Sequence, residues 1–164
     1  MDELPKGLLG LLASRIDQLE SDRDIAHIAA VLGKRFRLDL LAECSGWEKP
    51  RLCQALEHMR ALEIIEPIDK EGGDHEYQFS HQLLQEAAYL SCPRDVRVKL
   101  HQQVVTLIEE RFPVWISRHP GDFATHLRRS GHYARGARYF ELSAREALKV
   151  SANRTALRMA DFGL

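Results

Sequence analysis

The sequence predicts a mainly α fold that carries one small β-hairpin and ends in helical hairpins. Three observations predict it. Apolar residues recur at helical spacing through residues 5–62 and again after residue 81, with Gly33 and Gly46 as punctuation. Between these stretches, residues 64–79 switch to a β-branched and alternating pattern around a polar, glycine-rich turn. From Gly131 onward, small and bulky residues mix at helical spacing.

Residues 5–19 read as the first helix. Pro5 suits its first turn, and Leu8, Leu9, Leu12, Ile16 and Leu19 make one apolar face. Ser21-Asp22 is expected to cap a second helix, which stops at Gly33 and turns Ile25, Ile28, Ala29 and Leu32 inward. Phe36 begins a short connection, followed by a brief helix over Leu38–Cys44 that Ser45-Gly46 ends. The next helix covers about 48–62, with Leu52, Ala55, Leu56, Met59 and Leu62 at helical spacing. Pro50 fits there because the first turn needs no N–H from it.

Ile64-Ile65-Glu66-Pro67-Ile68 and Glu76-Tyr77-Gln78-Phe79 flank the turn Asp69–Asp74 and form a hairpin. Pro67 cannot donate to a sheet ladder, so its strand belongs at an edge. Three helices followed by a two-stranded wing make a winged-helix-like domain. Beyond it, helices are expected over about 81–90, 94–111 and 121–130, with Val114–Pro120 ambiguous. His81 is placed in the first turn of its helix, and Val98, His101, Val104 or Val105, and Ile108 face inward on the next.

Gly131, Gly136, Ala137, Tyr139-Phe140, Ala144 and Ala147-Leu148 let antiparallel helices pack closely, in the manner of a repeat of about 34 residues. A further helix is expected to begin at Ser151-Ala152-Asn153. A repeat array needs at least three units and a capped end, so the chain reads as a piece of something longer. The expected organisation is a linker helix over 1–20, a winged-helix domain with a helical extension over 21–112, and the start of repeats over 113–164.

Composition narrows the function. Net charge is -1, a poor footprint for nucleic acid. Cys44, Cys53 and Cys92 are odd in number and contain no CxxC pair, which suits idle thiols in a reducing cytosol and no zinc knuckle. No apolar run reaches the length of a bilayer span, and a cytoplasmic location without membrane contact is expected. The chain has no GxxxxGK[ST] loop, GxSxG or HExxH, so no catalytic residues are assigned. His119, His126 and His132 lack the i, i+4 spacing of a helical metal site, and no metal is expected.

The helix over 48–62 would be the reader of a DNA-binding winged helix. It mixes Lys49, Arg51 and Arg60 with Glu48 and Glu57, with Glu63 just beyond, and the wing carries Asp69, Glu71 and Asp74 against Lys70. Phosphate binding draws its affinity from counterion release by a positive surface, so the charge argues against nucleic acid. His81 stands where a helix start favours an anion and could donate to a phosphate, or it could cap its helix. Arg15, Arg128, Arg129, Tyr133 and Arg135 are the interaction candidates. His101 reads as a hydrogen-bonded packing residue. Arg94, Arg97 and Lys99 read as a solvated face.

Several motifs, in order, resemble one class of protein. Leu4-Pro5, Leu12, Arg15-Ile16-Asp17-Gln18-Leu19 and Ala29–Phe36 look like the segment that follows the ATPase core in large bacterial signal-transduction (STAND, AAA-related) ATPases. Those proteins are fused to adenylate or guanylate cyclase domains, kinases or helix-turn-helix regulators. Phe79-x-His81-x-Leu83, Glu86-Ala87-Ala88-Tyr89 and Leu100-His101 continue the likeness. Gly131, Ala137, Tyr139, Ala144, Ala147, Ser151-Ala152-Asn153 and Ala156-Leu157 look like the start of their tetratricopeptide-like array.

The resemblance implies that His81 contacts the ADP phosphate from within a Met-His-Asp-type motif, although Ser80 and Gln82 stand in place of the flanking Met and Asp. It implies ATP or ADP in an upstream ATPase domain of the same polypeptide, with no cofactor in this chain itself. It also implies an effector domain or protein ligand received by the repeats. The function expected is therefore regulatory and non-catalytic. Two alternatives stay open: a DNA-binding winged-helix regulator and a stand-alone helical-repeat interaction module.

Overall fold

A computed structural model describes the backbone of residues 6–68 and 75–162, and side chains over 10–68 and 75–151. Pro5, the turn Asp69–Asp74 and the side chains beyond Ser151 lie outside the described residues. The described elements are α1 (Lys6–Asp17), a 3₁₀ turn (Glu20–Asp22), α2 (Arg23–Leu32), β1 (Arg35–Arg37), α3 (Leu38–Ser45), α4 (Lys49–Ala61), β2 (Ile65–Ile68), β3 (Glu76–Phe79) and α5 (Gln82–Ser91). They continue with α6 (Arg94–Arg111), α7 (Pro113–Arg118), α8 (Pro120–Arg129) and α9 (Tyr133–Phe162). The chain divides into two compact units at Leu100/His101, inside α6 and upstream of the 112/113 boundary suggested by the sequence pattern.

In the first unit α2 is the hub. It touches α1, α3, α4 and α5, and Ile25 through Val31 are buried without interruption. A helix apolar on every side is one surrounded on every side. Leu41 from α3, Leu52, Leu56 and Met59 from α4, and Leu84 and Ala88 from α5 complete the core. α3 ends at Gly46, whose φ of 64° is the left-handed turn that glycine adopts without a Cβ clash.

The sheet is antiparallel with order β1-β3-β2. Pro67 therefore lies on an edge strand, as its missing N–H requires. β1 corrects the expectation of a plain connection at Phe36. Three residues are too few to show a period, and β1 exists because β3 offers it a partner. Phe36 pairs with Tyr77, and its ring lies 6.0 Å from Tyr77 and 5.9 Å from Phe79. Helix, strand, two helices and a hairpin, with the first strand beside the last, is winged-helix topology.

In the second unit α8 and α9 form a helical hairpin joined through Gly131. Gly121 faces Ser143, and a Cβ on Gly136 would lie 3.2 Å from the Ala124 carbonyl oxygen. That crossing register is antiparallel, and the small residues are what permit the close approach. Phe123, Ala124 and Leu127 of α8 are buried, as are Val104, Val105 and Ile108 of α6. Phe123 meets Tyr139 edge to face at 5.0 Å. Val98 is only half-buried. The ambiguous stretch after Phe112 is the short helix α7. The helix expected to start anew at Ser151 does not: α9 runs unbroken through Phe162, and no glycine or proline lies between 137 and 162 to interrupt it.

Candidate functional site

The junction from β3 to α5 opens onto a groove of about 770 Å³ whose rim includes Arg15, Arg60, His81, Glu57, Glu63 and Glu66. β3 fixes the junction. The Phe79 N–H donates to the Lys34 carbonyl at 2.9 Å, and the Ser80 N–H donates to Ile64 at 3.0 Å. His81 is the residue before α5, not one within its first turn. Its backbone is extended, with φ −132° and ψ 141°, because it must leave the strand before the helix begins. Its carbonyl accepts from the Leu84 N–H at 3.0 Å, while its imidazole makes no capping bond and is exposed. The side chain is thus available to something outside the helix.

Arg15 reaches the same groove from α1, so the structure brings two of the sequence candidates together. Arg15 lies 3.6 Å from the Glu63 carboxylate. Glu63 sits at φ 54°, a left-handed residue that turns the chain out of α4. Arg60 donates to Glu57 at 2.7 Å, and Gln78 donates to Glu66. Each of these contacts is exposed and weak in water, so an anion of higher charge could displace the carboxylates.

The other candidates lie in the second unit. Arg128 and Arg129 are exposed in the last turn of α8, where the helix dipole favours cations. Tyr133 begins α9 and is 70% exposed. Arg135 is bonded to Glu109. Arg94 and Lys99 are exposed, while Arg97 lies over the Tyr89 ring at 4.6 Å.

A second cluster gives no signal in the sequence. Asp22 was expected to cap α2, but its carboxylate makes no cap bond. It is buried and turns instead to α4, accepting from Arg51 and facing His58 Nδ1 at 2.8 Å. Arg51 also lies 4.5 Å above the Trp47 ring. Burial pushes the Asp22 carboxyl up, but the bonds from His58 and Arg51 outweigh it, and the net shift is downward. Asp22 therefore adds stability above the unfolded carboxylate value near 3.9, and loses it as pH falls through the lower folded value. Asp22→Ala is expected to cost the fold about 1–3 kcal/mol, toward the lower end because both partners can rehydrate. Urea denaturation at neutral pH checks it. A Lys or Arg read as a free cation on an amphipathic helix can be tied up this way, and a buried acid far off in sequence gives no periodic signal.

Two buried histidines show the same limit. Ser91 donates its hydroxyl to the Ala88 carbonyl at 3.0 Å, so its oxygen accepts from His27 Nε2 at 3.1 Å. Burial holds His27 below the ordinary histidine range. In the second unit His101 Nδ1 lies 2.9 Å from His126 Nδ1, so one nitrogen donates and the other accepts. His101 is the hydrogen-bonded packing residue that the sequence suggested. Burial, helped by Arg129, holds His126 down to about 4. Burial raises the Cys44 thiol to about 11, and Cys92 is raised for the same reason. Among the described residues no group of three or more His, Cys, Asp or Glu converges on a metal position. No described helix is long and apolar enough to cross a membrane.

No family model matches the chain. Over 145 residues it is 30% identical to an uncharacterised protein of Rhizobium meliloti (strain 1021). The match covers 87% of this chain and 14% of that protein's length. The relative is thus much longer than the matched segment.

Proposed function

We propose that this chain is a regulatory, non-catalytic segment of a signal-transduction ATPase. It would couple the nucleotide state of an upstream P-loop domain to an effector. The observation that carries the reading is the exposed imidazole of His81. It stands at the start of α5 with no side-chain cap bond among the described residues and shares a groove with Arg15 and Arg60. A helix start, a histidine and two guanidinium groups on one groove suit a phosphate brought by another domain. The length of the Rhizobium relative supports a place within a multidomain polypeptide.

Two states follow. With ADP on the core, His81 and the groove would dock on it. With ATP that contact would loosen, and the second unit would be released to its partner. The reading places the protein in the cytoplasm and the nucleotide in the upstream domain.

DNA reading is disfavoured by the use of Arg51 on α4, which the buried Asp22 holds. The wing is acidic in sequence. The test is ADP affinity in the polypeptide that carries the ATPase core, with and without His81→Ala.

A further inference from the structure

The two units differ in charge. Residues 101–164 hold ten Lys or Arg against six Asp or Glu, whereas residues 1–100 are acidic. The basic excess has a pattern. On α9, Arg135, Arg138, Leu142, Arg145 and Lys149 follow one another at alternating spacings of three and four. That is the seam spacing of one coiled-coil helix. The row lies beside the face packed on α8, which uses Gly136, Tyr139 and Ser143.

A groove of about 480 Å³ opens along this row, lined by Arg135, Arg138, Tyr139, Glu141, Leu142 and Arg145. Leu142 is 43% exposed in the middle of it. Arg145 donates to Glu141 at 2.6 Å across one turn. Arg138 makes no ion pair among the described residues. The groove therefore has an apolar centre between cations that one carboxylate does not balance.

We propose that this face of α9 docks an acidic amphipathic helix of a partner protein. Its carboxylates would meet Arg138, Arg145 and Lys149, and its apolar residues would meet Leu142. The proposal rests on the reading of the second unit as a module that receives a partner, and it does not depend on the nucleotide role of His81.

The geometry favours a helix over a nucleic acid. Arg138 and Arg145 are seven residues apart, or about 10.5 Å along the axis, the distance at which a second helix repeats its own carboxylates. A phosphate backbone would have to run past Glu141 and Glu146 on the same helix, and would leave Leu142 without a use. Helix-in-groove recognition uses both the apolar centre and the charged rim.

The probe is a fluorescein-labelled synthetic helix about 20 residues long, with Leu and Glu at heptad spacing, titrated with this chain by anisotropy. Micromolar binding that weakens with added salt is expected. Joint replacement Arg138→Glu with Arg145→Glu should weaken it at least about tenfold. Leu142→Asp should weaken it as well. All three side chains are exposed, so the melting temperature should stay within a few degrees, which separates lost binding from lost folding.

Several results would overturn the proposal. One is a scrambled peptide of the same composition binding equally well. Another is binding that the charge reversals leave unchanged, or no binding at all. Tighter binding of a short DNA duplex would assign the face to nucleic acid. A dimer in sedimentation that the same variants dissolve would assign it to a second copy of the chain.

Discussion

Replacing Phe79 by alanine is expected to cost the first unit about 3–5 kcal/mol. The ring is fully buried and touches Phe36 across the sheet. Its backbone N–H closes onto Lys34, and its partner in register is Ile65. The residue thus sits where the central strand β3 ties to its neighbours, with its ring sealed in the core. The loss is a large share of the roughly 5–15 kcal/mol that holds a domain together. The melting temperature should fall by roughly 15 °C or more. Circular dichroism on heating reads the change. A loss under about 1 kcal/mol would mean that the hairpin is not anchored through this ring. Phe79→Leu, which keeps most of the apolar volume, should be much milder.

Mild acid should weaken the second unit through His126. A histidine ionises near 6.5 in an unfolded chain, whereas burial holds His126 at about 4 in the fold. The unfolded chain therefore binds the proton more readily between these values. Stability is full above about 6.5, falls as pH drops, and levels off below about 4. Between pH 7 and pH 5 the loss is about 2 kcal/mol. Burial and the neighbouring Arg129 cation set the direction, since both penalise the charged imidazole.

His126→Asn keeps a donor and an acceptor near the Nδ1 position but cannot titrate, so it should flatten the pH dependence. The second unit contains Trp115 and the first contains Trp47. A Trp47→Phe background lets Trp115 fluorescence report urea unfolding of the second unit at each pH. An unaltered slope in His126→Asn would assign the acid sensitivity to other groups. His27 should shift the first unit in the same direction, since burial depresses it too.

The elements that were legible in the sequence are those with a repeated local signal. Gly33 and Gly46 mark real helix ends, the β-branched stretch at 64–68 is a strand, and Pro67 does lie on an edge. Gly131 and Gly136 announce a close helical hairpin, which α8 and α9 form. What was not legible depends on partners distant in sequence. β1 is a strand only because β3 lies beside it. Asp22 has the type and place of a helix cap, yet Arg51 and His58 compete for it and win. The unbroken α9 shows the opposite case, where Ser151-Ala152-Asn153 looks like a helix start but nothing before it ends a helix.

For the groove at His81, the histidine and Arg15 were both named from the sequence. Their sharing of one groove was not, because α1 and the β3–α5 junction are far apart along the chain. Arg60, by its place in the sequence, reads only as a cation of the reader helix.

On the proposed function, the imidazole of His81 reads a phosphate held by another domain. The most direct measurement is the ADP dissociation constant of the polypeptide that carries the ATPase core, compared with its His81→Ala variant. The account predicts weakening of at least about tenfold, or about 1.4 kcal/mol, and raised basal output. Thermal stability should not change, since the side chain is exposed and makes no capping bond. Equal ADP affinity and equal basal output in the two proteins would contradict it.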